Sequence, residues 1–296
     1  MKHVPSYPLS KVVTVNAKLI ENLMSSRLIS SKKGDNGIVL IIGGSRIYHG
    51  APLLASISAL RSGTDLVYTA VPRSNIVPVR SFSPNIIALP LSDDKLTVGS
   101  ANRLVAMLPK KPDTAAIGMG MSITKPEALL TLIKQLKSGG TKLLLDASAL
   151  IPQILQEISG TDTIITPHVG EYKRIFGEDA DVTEKEQIPN IQKLAKQYRI
   201  TILLKGWIDI ISDGEQVAVN KTHNCAMTVG GTGDVLSGLT AGLLTKLRPF
   251  AASISGVYFN GVAGNLAYRR VGLHLVATDL IEDLPTAMKP FDILKE

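Results

Sequence analysis

Cysteine is nearly missing from this chain: Cys225 is the single one in 296 residues. An internal disulfide is therefore excluded, and the chain reads as one suited to a reducing, cytoplasmic setting. Cys225 sits beside a glycine loop, but nothing around it marks a nucleophile, and a small packed residue is the expected role. Aromatic residues make up only 4%, so the core must be aliphatic. No apolar run is long enough to span a bilayer, and the N-terminus lacks the continuous apolar core of a signal peptide. There is no G-x-x-x-x-G-K-[ST], which excludes a P-loop. The five histidines form no His-x-x-x-His pattern, and one cysteine cannot complete a zinc site, so no protein-held metal cluster is read. No Pro/Ser/Gly-rich linker or low-complexity run divides the chain, and residues 1–296 are read as one domain.

What is present is apolar and basic. Hydrophobic residues make up 45% and the net charge is +7, with a pI of about 9.4 and a mean hydropathy of +0.19. The charge favours anionic ligands. The basic residues are scattered and never interleave with aromatics, which points to small phosphates rather than nucleic acid. The positive hydropathy suggests surface buried between subunits, and hence a homo-oligomer.

Strand and helix patterns alternate. The run Ile38–Ile42 reads as a buried parallel strand between Gly37 and Gly43. A helix over 51–61 follows, with Pro52 in its first turn and Gly63 beyond its end. Strands are expected at Leu66–Val71, Ala115–Ile117, Lys142–Leu145, Thr163–Ile165 and Ile200–Leu204. A hairpin is expected at Ile208–Ile211 and Gln216–Val219 around Asp213-Gly214. Helices are expected at 15–23, 125–138, from 169 to about 176, 184–197, 234–246, 250–269 and 277–284. This alternation predicts an α/β fold with a central, mostly parallel sheet flanked by helices on both faces. Ligands of such sheets lie beyond the carboxyl ends of the strands. The unusual residues gather there: Gly43-Gly44-Ser45, Gly118 and Gly120, Asp146, Thr166-Pro167-His168, Lys205-Gly206 and Gly230–Asp234.

The most informative segment is Met227–Gly238, a glycine-rich turn running into an apolar helix. Glycines let backbone approach a ligand closely, and a helix start offers free N–H groups to an anion. Gly231, Thr232 and Gly233 make the candidate anion hole. Asp234 is the candidate base, able to take a proton from a hydroxyl during phosphoryl transfer; an Asp there can also be a plain N-cap. Lys205 emerges from a buried strand and suits phosphate, or is a solvated strand end. His168 can bind a substrate amide or hydroxyl, or simply start a helix. Asn224 reads as a structural cap and His49 as exposed. Asp146 reads as either a cap or an indirect holder of Mg²⁺.

These residues also resemble a known family. Lys33-Gly34-Asp35-Asn36-Gly37, Ile41-Ile42-Gly43-Gly44-Ser45, Thr166-Pro167-His168-Val169-Gly170-Glu171, Leu204-Lys205-Gly206 and the run from Asn224 to Gly238 are similar, in order, to the NAD(P)H-hydrate dehydratases of the ribokinase-like superfamily. The resemblance covers about residues 30–285. It implies a ribokinase-like fold and an enzyme that phosphorylates the extra ring hydroxyl of hydrated NADH or NADPH at the expense of ADP or ATP with Mg²⁺. Phosphate then leaves and NAD(P)H is restored. Bacterial and archaeal members typically use ADP. It further implies Asp234 as the base, and Ala51, Gly120, His168 and Asp234 as contacts to the hydrate. Lys205, Gly206, Trp207, Ile208, Asp209 and Gly233 would contact the nucleotide. Family habit implies a homotetramer. Many microbial relatives carry an N-terminal epimerase domain for which this chain is too short, so a separate protein is expected to supply that activity, and no nucleic-acid or membrane partner is expected.

Two departures stand out. The family's Asp-Ala-Asp-Ala-Leu-Asn reads Asp146-Ala147-Ser148-Ala149-Leu150-Ile151, and Val169 replaces a proline. Two other readings use the same residues: a small-alcohol kinase acting on a thiazole or pyrimidine vitamin precursor, and a non-catalytic nucleotide-binding module.

Overall fold

The computed structural model describes residues 12–180 and 183–296. Along the chain run β1 (Val12–Thr14), α1 (Ala17–Leu23), β2 (Arg27–Leu28), β3 (Ile38–Ile42), α2 (Gly50–Arg61), β4 (Leu66–Val71), α3 (Ile76–Phe82), β5 (Ile87–Pro90), α4 (Val98–Met107), β6 (Thr114–Ile117), α5 (Pro126–Ser138) and β7 (Lys142–Leu145). There follow α6 (Ile154–Ile158), β8 (Thr163–Ile165), α7 (Val169–Phe176), α8 (Glu184–Tyr198), β9 (Thr201–Leu204), β10 (Asp209–Ser212), β11 (Val217–Asn220), α9 (Thr232–Leu244), α10 (Pro249–Val271), α11 (Ala277–Met288) and β12 (Leu294–Lys295).

Ten strands form one sheet in the order β1-β11-β10-β9-β8-β7-β6-β3-β4-β5, while β2 and β12 pair separately. Every pairing in the large sheet is parallel except those of β10, which runs antiparallel to both β9 and β11. The near-continuous aliphatic strands follow from burial on two faces. Leu40, Ile42, Ile117, Leu143, Leu145, Ile165, Ile202 and Leu204 meet α4 to α8 on one side. Their alternating neighbours Val39, Ile41, Ala116, Leu144, Ile164 and Leu203 meet α1, α2, α9, α10 and α11 on the other. The period of two in side-chain direction thus splits one sheet into two cores.

The expected elements are present, most with ends moved by a residue or two. The sequence pattern passed over β1, β5, α3, α4, α6 and the small β2–β12 pair. The strand β1 has three exposed residues, too few to show a period. The strand β5 ends the sheet and closes on Pro90, which an edge strand tolerates. The helix expected from residue 234 begins at Thr232, because Gly231 takes φ +99° and turns the chain into it.

Candidate active site

The parallel strands β3, β6, β7, β8 and β9 deliver their carboxyl ends to one edge. Asp146 follows β7, Thr166 follows β8 and Lys205 follows β9. A bridge pairs His168 with Lys205, and the Lys205 amide donates to the Pro167 carbonyl at 2.8 Å. The helix α9 starts over these ends.

A buried polar chain links them. The Lys205 ammonium is 2.8 Å from Asp146 Oδ1 and 3.7 Å from Glu171 Oε2. Ser237, one turn along α9 from Asp234, donates to Asp146 Oδ2 at 2.6 Å. Burial opposes ionisation of both partners. Their mutual attraction, together with the hydrogen bonds Asp146 accepts from Ser237 and Thr166 and the charge of Glu171 near Lys205, outweighs it, holding the Asp146 carboxyl below its ordinary range and the Lys205 ammonium above its own. Lys205 is therefore neither a solvated strand end nor a free cation: it neutralises two carboxylates. Asp146 makes no capping hydrogen bond, so the cap alternative fails for it.

Asp234 stands apart. It occupies the first turn of α9 as its third residue, and the cap is Gly231, which has no side chain to offer. The N-cap alternative for Asp234 is thereby excluded. Its carboxylate accepts no hydrogen bond and makes no close ion pair among the described residues. Burial first, then the negative charges of Asp146 and Glu171, push its carboxyl up to about 7, against the opposing pull of Lys205. A carboxyl poised near neutral pH suits a general base. With no side-chain cap, the first amides of α9 face outward, as an anion requires. The Thr232 hydroxyl is turned away, donating to the Met227 carbonyl at 2.9 Å, so it is the Thr232 amide that remains for an anion.

A cavity of about 400 Å³ opens beside this turn. Its walls include Lys205, Gly206, Trp207, Asp209, Thr232 and Gly233, together with Thr222, Asn224, Cys225 and Asn260. Five of the six expected nucleotide contacts thus share one cavity. Ile208 instead packs its side chain on the core beside β9. Asp209 is held by the Gly206 amide at 3.3 Å and by Asn220 Nδ2 at 3.0 Å. Trp207 stands 76% exposed at the lip. Cys225 is exposed there too, which corrects the packed role read from the sequence: its backbone belongs to a tight turn that leaves the thiol outward. Asn224 caps that turn, accepting from the Ala226 amide at 3.0 Å.

Beyond the carboxyl ends of β3 and β6, a Cβ at Gly120 would lie 3.1 Å from that of Ala51 and 2.8 Å from that of Tyr48. These residues converge as expected, and the glycine keeps the gap between them open. His168 starts α7 as its cap. Its Nδ1 accepts from the Gly170 and Glu171 amides at 3.0 and 3.3 Å, capping α7. That fixes the ring proton on Nε2, a donor on a side chain that is 59% exposed. His49 is exposed.

With this geometry in place, comparison is informative. A family model described as NAD(P)H-hydrate dehydratase matches residues 39–286. The chain belongs to the NAD(P)H-hydrate dehydratase family. It is 50% identical over 280 residues to the ADP-dependent (S)-NAD(P)H-hydrate dehydratase of Nitrosopumilus maritimus, covering 94% of this chain and 98% of that protein. The crystal structure of the ADP/ATP-dependent NAD(P)H-hydrate dehydratase of Bacillus subtilis, co-crystallised with ATP/Mg²⁺, superposes with a TM-score of 0.83 at 27% identity, covering 96% and 100% of the two chains. A ribokinase-like superfamily protein of Enterococcus faecalis matches at TM-score 0.77 and 24% identity over 98% and 99%. The fold is ribokinase-like.

Not every stretch shared with the dehydratases lies at the site. Lys33–Gly37 precedes β3 and so sits at the opposite end of the sheet. There Asp65 accepts from the Gly34 and Asn36 amides at 2.8 and 3.0 Å and pairs with Arg27 at 3.0 Å. The departing turn at Ser148 and Ile151 begins with Ala147 at φ +48°. Arg174 donates to the carbonyls of Ala147 and Leu150, so this turn is held from α7 without the family's Asp and Asn. Sequence reasoning missed Ser237 and Asn220. Ser237 was findable, since it lies three residues past Asp234 on the same helix face.

Proposed function

We propose that this protein is a nucleotide-dependent NAD(P)H-hydrate dehydratase using ADP, acting on the S epimer and releasing AMP and phosphate. The observation that carries the reading is the unpaired Asp234 carboxylate on an uncapped helix start, beside a cavity that collects Lys205, Gly206, Trp207, Asp209 and Gly233. Asp234 takes the proton of the ring hydroxyl as its oxygen attacks the β-phosphorus of ADP, and AMP departs. The amides of Thr232 and Gly233 stabilise the transferring phosphoryl charge. Hydroxide leaves poorly and phosphate leaves well, so the phosphorylated ring expels phosphate, gives up a proton from the adjacent ring carbon to solvent or to the departing phosphate, and regains its double bond. Ala51, Gly120 and His168 position the hydrate, with Nε2–H of His168 as the donor.

Magnesium fits as a companion of the nucleotide phosphates rather than as a protein-held ion. Both oxygens of Asp146 are engaged, Glu171 shares the same ammonium, and no cluster of three metal-ligating side chains occurs among the described residues. No step is assigned to a resident metal. The fuller reading is one ribokinase-like domain over residues 1–296, assembled as a cytoplasmic homotetramer, with the hydrate epimers interconverted by a separate protein. No helix among the described residues is long and apolar enough to cross a membrane.

The test mixes purified protein, Mg²⁺ and chemically hydrated NADH with ADP or ATP in turn. Return of nicotinamide absorbance is the expected result. A stable phosphate ester formed from a small alcohol, with no NADH recovered, would replace the reading with a kinase.

A further inference from the structure

We propose that Asn75 is a positioning residue for the hydrated nicotinamide, fixing the turn at 45–48 that walls the gap beside Ala51 and Gly120. The inference rests on the hydrate reading above and adds to it the group that sets the shape of that side of the crevice.

Asn75 lies past the carboxyl end of β4, just ahead of α3, and is 5% exposed. Its carboxamide reaches back to a distant part of the chain, where Nδ2 donates to the Ser45 carbonyl at 2.7 Å. Ser45, itself buried, closes the turn. Its amide donates to the Tyr48 carbonyl at 3.2 Å, and its hydroxyl accepts from the Tyr48 amide at 3.2 Å. Tyr48 then forms the wall: a Cβ at Gly120 would meet the Tyr48 carbonyl oxygen at 3.2 Å as well as the Tyr48 Cβ. A line of contacts therefore runs from Asn75 through Ser45 and Tyr48 to the gap at Gly120.

Nothing else does this work. Among the described residues, no other group outside the turn hydrogen-bonds to positions 45–48. The residue before it is tied separately, the Gly44 amide donating to the Met119 carbonyl at 2.8 Å. Gly44 takes φ +83°, and a Cβ on it would stand 3.3 Å from Asn75 Nδ2, so bare backbone leaves the carboxamide its path. Beyond this root Arg46, Ile47, Tyr48 and His49 are all exposed, and core packing does not hold them. A turn with one external hydrogen bond keeps a single shape only while that bond lasts. Without it, the cost of ordering the wall falls on the incoming substrate. The small core under α3, made of Leu53, Val71, Val79 and Ile86, does not include Asn75, so loss of the carboxamide spares it.

Repair kinetics at saturating ADP, with hydrated NADH varied, test this in Asn75→Ala, Asn75→Asp and Ser45→Ala. Asn75→Ala should raise KM for the hydrate roughly 3–10-fold, the worth of one neutral hydrogen bond, and leave kcat within about twofold. ADP affinity, measured by calorimetry, should hold, because neither Asn75 nor Ser45 lines the nucleotide cavity. Asn75→Asp sets a carboxylate against the Ser45 carbonyl and should raise KM further. Ser45→Ala removes the hydroxyl that receives the Tyr48 amide and should act in the same direction. Combined with Asn75→Ala, its effect should fall short of the product of the two, since both act through one turn. A merely structural role would lower the melting temperature and leave KM alone. An unchanged KM in the folded Asn75 variants would overturn the proposal, and so would an equal loss of ADP affinity. If those variants fail to fold, Ser45→Ala decides, and an unchanged KM there overturns it equally. A wild type that returns no NADH would overturn the hydrate reading itself, a failure visible before any variant is made.

Discussion

Protonated, Asp234 is a neutral group in a partly buried turn. Ionised, it is opposed first by burial and then by the nearby charges of Asp146 and Glu171. Its carboxyl sits near 7 in the folded protein, against about 3.9 in an unfolded chain. The folded state therefore holds this proton more tightly. Asp234 contributes full stability below about pH 4, and that contribution is lost as pH rises toward 7. Activity runs the other way, because a base must be unprotonated. Turnover should rise with pH through about 7. Asp234→Asn should lose roughly 10²–10⁴-fold in NADH recovery while keeping ADP affinity, since the anion hole is backbone. The same variant should melt higher than the wild type at pH 8, with the gap closing as pH falls toward 4. An asparagine variant with near-normal repair, or one that melts lower at pH 8, would remove Asp234 from this role.

At the scale of elements, the site depends on how closely α2 and α9 approach. A Cβ at Gly238 would fall 1.9 Å from the Ala55 carbonyl oxygen and 2.3 Å from Ser58 Oγ. Gly238→Ala must push apart the helix bearing Ala51 and the helix bearing Asp234. Overpacking of this kind costs about 1–3 kcal/mol, and repair activity should fall together with the melting temperature. Gly50→Ala is the control: open space surrounds that position, and its stability should change by less than about 0.5 kcal/mol. Much of this arrangement was readable from residues. Buried strands announce themselves as aliphatic runs, and ligand chemistry collects just past each run, which located Asp146, Lys205 and the Thr166–His168 stretch, while the glycine-rich turn into an apolar helix located Asp234. What stayed hidden depends on contacts between distant segments. Nothing local tells that Asp146 is shared by Lys205 and Ser237, or that Ile208 turns to the core while Trp207 turns out. Lys33–Gly37 shows the converse, a stretch legible as a family mark whose work is to anchor a loop at the far pole.

For the whole molecule, the exposed apolar residues fall in places that suit assembly. Val77, Phe82 and Ile87 are exposed on and beside β5, the edge of the sheet, and Leu28, Ile29 and Leu294 are exposed around the β2–β12 pair. Light scattering should give about four times the 31.6 kDa chain mass. Phe82→Glu should lower that mass if the β5 edge is buried between subunits. A monomer at micromolar concentration would refute the assembly.

The chain has a single tryptophan, and it stands at the mouth of the cavity, packed edge-on against His223. Excited at the red edge of its absorption, where the seven tyrosines do not absorb, the protein therefore emits from one spot, with no distant indole to dilute it. Adding ADP to unlabelled protein should change its intensity or colour in a saturable way, whereas hydrated NADH, proposed to bind near Ala51 and Gly120 and lacking the nicotinamide band that overlaps this emission, should leave it largely unchanged. Occupancy of the two halves of the crevice becomes separable in a cuvette, before any turnover is measured.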